Sequence, residues 1–150
     1  MLDKVIKDHI NTISKLRTID DKIIGICQKI FNCIQNNNKI ILCGNGGSAS
    51  DSIHIAAELV GRFTTERRGL PSIALTANQS NITAIGNDYG FDKIFSRQLE
   101  AIGNKGDLLI GISTSGNSQN IIEAFNEAEK IGIESICLTG KDGGKISKMN

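Results

Sequence analysis

The sequence predicts an α/β fold, a doubly wound parallel sheet preceded by helices. Three observations predict it. Four short runs are apolar at successive positions, which marks strands buried on both faces. Segments with helical periodicity lie between them. The glycine-rich and polar clusters fall just after the runs, where the carboxyl ends of parallel strands leave room for a ligand.

Residues 2–36 carry apolar side chains at three- and four-residue spacing: Val5, Ile6, Ile10, Ile13 and Leu16, then Ile23, Cys27, Ile30, Phe31 and Ile34. Thr18-Ile19-Asp20-Asp21 interrupts the pattern. Thr18 is placed to cap a new helix, with Asp21 at its third position, so the segment reads as two helices or one bent one. Asn36-Asn37-Asn38 ends it. This helical lead, residues 1–38, packs either on its own domain or between subunits. From residue 39 the strands follow: Ile40–Cys43, Ser72–Thr76, Asp107–Ile112 and Glu134–Leu138. Helices are predicted over Ala49–Gly61, Phe91–Ile102 and Ser118–Ile131. Gly143–Asn150 reads as the opening of a further helical turn. Four strands make a thin sheet, so the domain assigned to residues 39–150 is expected to lack its last strand and C-terminal helix, or to be completed by another chain.

Composition narrows the function. In 150 residues, 17 Lys+Arg stand against 16 Asp+Glu, a net charge of +1, without the basic excess of a nucleic-acid binder. Aromatic residues are 4% and Trp is absent, so stacking platforms for single strands are not expected. No stretch reaches the ~20 apolar residues of a membrane span, and the N-terminus has no apolar signal core. A cytoplasmic protein that binds neither nucleic acid nor membrane is expected. The cysteines Cys27, Cys33, Cys43 and Cys137 have no C-x-x-C spacing and lie mostly in apolar runs; they read as buried reduced thiols.

Four clusters carry chemistry. Gly44-Asn45-Gly46-Gly47-Ser48 joins a strand to a helix, where backbone N–H groups and the helix terminus favour an anion. A ligand-free tight turn is the plainer alternative. The loose Gly44-x-Gly46-x-x-Ala49 match lacks the acid that a dinucleotide site wants after the next strand, and no P-loop pattern is present. Ser113-Thr114-Ser115-Gly116-Asn117-Ser118 lies in the same kind of position; its hydroxyls and amides make a phosphate cradle without a cationic side chain, although Ser118 alone can cap a helix. His54, Glu58 and Arg62 fall at i, i+4 and i+8 on a predicted helix. A His and a carboxylate so spaced can share a metal or form a tuned base; they can also be an exposed charged stripe. His9, the other histidine, reads as ordinary helix surface. Asn87 and Asp88, in Ala84-Ile85-Gly86-Asn87-Asp88-Tyr89-Gly90, can meet sugar hydroxyls or form an Asx turn.

Together these segments resemble the sugar isomerase (SIS) domain family, and within it the branch acting on phosphorylated heptoses. The resemblance lies in GNGGSASD (44–51), HIAAELVGRF (54–63), AIGNDYGF (84–91), FSRQLEA (95–101), GDLLIGISTSGNS (106–118) and LTGKDGG (138–144). It implies a SIS-type, flavodoxin-like sheet and an aldose–ketose isomerisation through an enediol. The reaction implied converts D-sedoheptulose 7-phosphate to D-glycero-D-manno-heptose 7-phosphate, the first step toward the heptose of bacterial lipopolysaccharide or capsule. Asn45, Gly46, Gly47 and Ser48 would border the sugar phosphate; Ser113, Thr114, Ser115 and Ser118 would hold its phosphate; Arg62, Asn87 and Asp88 would face the substrate. Glu58 would be the catalytic base, and His54 with Glu58 would ligate one zinc per subunit. The family's further Gln and His lie on a C-terminal helix, and no His follows His54 here. A homotetramer is implied as well. The alternatives are a SIS module that binds sugar phosphate without turnover, an enzyme of another sugar phosphate, and a DnaA-binding relative.

Overall fold

The computed structural model describes residues 1–149. Helix α1 (Leu2–Ser14) runs through a 3-10 turn (Lys15–Ile19) into α2 (Asp20–Gln35). There follow β1 (Ile40–Gly44), α3 (Gly47–Val60), β2 (Ser72–Ala74) and α4 (Gln79–Tyr89). A 3-10 turn (Phe91–Lys93) leads to α5 (Ser96–Ile102), β3 (Leu108–Ser113), α6 (Gln119–Ile131) and β4 (Glu134–Thr139). A last 3-10 turn spans Ile146–Lys148. The helical turn expected over Gly143–Asn150 is thus a short 3-10 turn, and Asn150 lies outside the described residues.

All strand pairs are parallel, in the order β2-β1-β3-β4. The chain leaves β1 toward β2 on one side, then returns to place β3 on the other. The crevice between β1 and β3 is therefore the point where the winding reverses, the place where such sheets bind ligands. Strand side chains alternate between two cores. Ile40, Leu42, Leu108, Ile110 and Ile136 pack with Cys33 and Ile34 of α2 and Ala56 of α3. Ile41, Cys43 and Leu109 pack with Phe95 and Leu99, and with Ile121, Ala124, Phe125 and Ala128 of α6. This is the doubly wound architecture the apolar runs predict.

Several local expectations are corrected. Thr18 caps nothing: its hydroxyl donates to Lys15 O at 2.7 Å inside the 3-10 turn, and α2 begins at Asp20 with Asp21 second. The turn therefore links two helices. None of the residues of α1 is buried, and Leu2, Val5, Ile6, Ile10 and Ile13 are exposed, so α1 does not pack on its own domain. Cys27 is exposed on α2, whereas Cys33 and Cys43 are buried and Cys137 partly so. The helix expected over Phe91–Ile102 is broken, because Ile94 and Phe95 turn into the core between the 3-10 turn and α5. The segment around Asn87, left outside the predicted helices, is helix α4. Its N-cap Asn78 accepts from Asn81 N at 3.1 Å, and Ile82 and Ile85 pack on the core.

Candidate functional site

The two polar loops leave adjacent strands, since β1 and β3 pair up to the rung Gly44↔Ile112. Each leads into a helix N-terminus. The first loop is built by close approach. A side chain on Gly44 would lie 2.4 Å from Ser48 O, so only glycine lets the first turn of α3 fold back on the end of β1. Ser48 N donates to Asn45 O at 3.0 Å and Ala49 N to Gly46 O at 3.0 Å, which closes that turn.

The second loop is tied from below. Gly116 has φ +62, and a Cβ there would meet Gly143 O at 1.9 Å, so the turn requires glycine on both counts. Gly140 N donates to Thr114 O at 3.0 Å, Ile146 N to Gly116 O at 3.0 Å and Lys145 N to Asn117 Oδ1 at 3.0 Å. The hydroxyls of Thr114 and Ser115 are left at the surface, while Ser113 is buried. Ser118 occupies the N-cap of α6, but its hydroxyl accepts from Ser113 Oγ at 3.2 Å and makes no capping bond. Ser115 Oγ accepts from Asn117 N at 3.2 Å. Hydroxyls and a helix N-terminus without a cationic side chain suit a phosphate dianion.

His54 and Glu58 stand one turn apart on α3, with His54 Nε2 3.2 Å from Glu58 Oε1. The Glu58 side chain is 37% exposed and that of His54 75%. Beside them Asp51, His54 and Ile55 of α3, with Ile112 and Leu138 at the ends of β3 and β4, line a shallow pocket of about 260 Å³. The helical face expected to include Arg62 stops short of it: α3 ends at Val60, and Arg62 lies beyond the bend, 3.4 Å from Glu66. Asn87 and Asp88 lie on the last, exposed turn of α4, where Asn87 Nδ2 donates to Asp88 Oδ1 at 2.8 Å. They form no Asx turn, because the segment is helical. Asn45, Gly46, Gly47 and Ser48 thus come together with Ser113, Thr114, Ser115 and Ser118, and α3 carries His54 and Glu58 away from the first loop. Arg62, Asn87 and Asp88 are joined to this group by no hydrogen bond among the described residues.

Two residues escaped the sequence reading. Arg67 wraps the C-terminal end of α3, its guanidinium donating to the carbonyls of Glu58 (2.8 Å), Leu59 (2.9 Å), Gly61 (3.1 Å) and Arg68 (3.0 Å). It donates to carbonyls at the helix end that have no partner within the helix and anchors the backbone of Glu58. Its signal was a basic residue soon after a helix end, too common to single out. Asn120 bonds the side chain of Asn45, and no spacing rule reaches across 75 positions. A larger groove, about 670 Å³, runs along β2, α4 and α5. Its Gln98 is spent internally, on Leu75 O, Ile94 O and Asn81 Nδ2.

Burial pushes the Cys137 thiol up to about 11 and that of Cys43 higher still, as expected of thiols packed among apolar side chains. Among the described residues no three His, Cys, Asp or Glu side chains gather as a metal site. No helix among them is long and apolar enough to cross a membrane.

A family model of the SIS domain matches residues 6–140. The chain is 53% identical over 153 residues to a phosphoheptose isomerase of Aliarcobacter butzleri, covering 99% of this chain and 81% of that protein. The fold matches the phosphoheptose isomerase of Neisseria gonorrhoeae with a TM-score of 0.82 and 44% identity, over 99% of this chain and 80% of that one. A phosphoheptose isomerase from Francisella tularensis gives a TM-score of 0.88 and 39% identity at the same coverage.

Proposed function

The chain belongs to the SIS domain family, and from that premise we propose that it converts D-sedoheptulose 7-phosphate to D-glycero-D-manno-heptose 7-phosphate. Its relatives are named phosphoheptose isomerases, and the chain is accordingly an aldose–ketose isomerase. The observation that carries the reading is the placement of two anion-suited loops after adjacent strands, with an exposed Glu–His pair one helix along.

The reaction moves two hydrogens and changes no oxidation state overall. Glu58 removes a proton from C1 of the ketose, giving an enediol, exchanges it with solvent, and delivers a proton to C2. The C2 carbonyl oxygen gains a proton as the C1 hydroxyl loses one, so C1 becomes the aldehyde. One carboxylate that reaches both carbons suffices for the carbon-bound proton. The loop 113–118 holds the remote phosphate by hydroxyls, backbone amides and the N-terminus of α6. Asn45, Gly46, Gly47 and Ser48 border the sugar, with Arg62, Asn87 and Asp88 proposed as further contacts. The test is to incubate the protein with sedoheptulose 7-phosphate in D₂O and follow it by NMR. The aldose should appear with deuterium at C2. An unchanged ketose with folded protein would overturn the reading.

Zinc is proposed as a cofactor. An imidazole nitrogen and a carboxylate suit it, and His54 with Glu58 would hold it. They are two donors of the usual four. Bound there, zinc would polarise the substrate's carbonyl. Residues 1–150 should therefore bind zinc weakly, and His54→Ala should remove it. Elemental analysis after dialysis decides the matter: one zinc per chain that survives His54→Ala would place the metal elsewhere.

A homo-oligomer, proposed as a tetramer, accounts for the apolar face of α1, which is too large to leave in water. Removing residues 1–17 should dissociate the assembly while the core, which takes Ile26, Ile30, Cys33 and Ile34 from α2 and nothing from α1, stays folded. Light scattering that finds the intact chain monomeric would refute this. Action in the cytoplasm on precursors of lipopolysaccharide or capsule completes the proposal.

A further inference from the structure

The two loops of the site are joined beyond the last rung of the sheet. Past Gly44↔Ile112 the β1 and β3 chains part, α3 toward one face and α6 toward the other. Across the gap Asn45 Nδ2 donates to Asn120 Oδ1 at 2.9 Å, and Asn120 Nδ2 donates to Asn45 Oδ1 at 2.9 Å. A primary amide is its own complement, with a donor edge beside an acceptor edge, so two asparagines close a ring of two hydrogen bonds.

Asn120 is 2% exposed. Its own helix has no need of it: Ser118 already holds the N-cap position, and asparagine is a poor helix former at a buried place where an aliphatic residue would pack. Its side chain is explained by Asn45.

We propose that Asn120 is a positioning residue: through the amide pair with Asn45 it sets the separation between the glycine loop and the hydroxyl loop. It therefore sets where a phosphate held at 113–118 places the sugar relative to Glu58 on α3. Asn120 lies beneath the loops and acts through Asn45. Because reacting atoms must meet at near-contact distance, a small drift of one loop lowers the rate steeply. The inference rests on the isomerase reading for its kinetic consequence, and on the geometry alone for its structural one.

The test uses Asn120→Ala, Asn120→Leu, Asn45→Ala and the double Ala variant of the intact protein. Asn120→Leu keeps the branching of the side chain and leaves no cavity where the Ala variant does, and a thermal melt shows which variants are folded. With sedoheptulose 7-phosphate, each single change should lower kcat/KM by about ten- to a hundredfold. The double variant should be no worse than the worse single one, because one interaction is lost in all three. Additive losses, or wild-type kcat/KM in Asn120→Leu, would overturn the proposal. A wild-type protein inert toward that substrate would sink the isomerase reading instead, and amide hydrogen exchange then decides this one. Asn120→Leu should speed exchange in residues 45–48, which are remote from it in the chain, as well as in 114–118. Unchanged protection of the glycine loop would refute the pair as its strut.

Discussion

Glu58→Gln should lower turnover of sedoheptulose 7-phosphate by about 10²–10⁴-fold and leave the fold intact. The substitution replaces a carboxylate by an amide of the same shape that cannot carry a proton between C1 and C2. The side chain is more than one-third exposed, so no buried partner is orphaned. Its backbone carbonyl still accepts from Arg67, which continues to anchor this end of α3. KM should change little, since the phosphate would be held by the 113–118 loop, away from the reacting carbons. Steady-state kinetics beside a thermal melt separates the outcomes. A folded variant turning over near the wild-type rate would remove Glu58 from the chemistry.

Replacing Ser113 and Ser115 together by Ala should raise KM far more than it lowers kcat. A hydrogen bond to a charged group contributes about 1.5–3 kcal/mol, so the loss of two is expected to weaken binding by two orders of magnitude or more. The phosphate does not react, so its binding is shared by ground and transition states and appears in KM. The two serines differ in one respect. Ser115 is exposed and would meet the phosphate directly, whereas the buried hydroxyl of Ser113 donates to Ser118 and would have to turn from it to reach the phosphate. Ser115→Ala frees only the exposed Asn117 N–H, which water can satisfy, so it should leave the melting temperature nearly unchanged, and Ser113→Ala should lower it slightly. A loss confined to kcat in the double variant would place these hydroxyls at the reacting carbons and move the phosphate elsewhere.

The strands and both loops were readable because their signals are local. Ile40-Ile41-Leu42-Cys43 has no polar face to expose, and a Gly- or Ser-rich stretch after such a run has few roles besides a strand–helix turn. Helix α4 was not readable. Gln79–Tyr89 contains Asn81, Thr83, Gly86, Asn87 and Asp88, all weak helix formers, and its helix is held by Ile82 and Ile85 packing on the core. The same limit applies to the interruption at Ile94 and Phe95: a continuous helix satisfies the local pattern, but the sheet needs both side chains inward. Arg62 shows the effect at the site. Its i+8 spacing from His54 was correct for an unbroken helix, but Gly61 ends α3 and turns the chain away.

By itself the sequence determined the class of fold, the four strands, the two loops and the Glu58–His54 pair, because each depends on residues within a few positions of one another. It also carried the resemblance to the SIS family, confirmed by relatives of about half-identical sequence. Only the tertiary structure decided what joins these pieces. The pairing of β1 with β3 puts the loops side by side; the Asn45–Asn120 amides hold them at one distance; Arg67 fixes the end of the helix that carries Glu58. The emptiness of the α1 face is likewise a tertiary fact, since amphipathic spacing shows that a helix has an apolar side without showing what covers it. Contacts of this kind bring together residues far apart in the chain, and no periodicity or propensity encodes the distance between them.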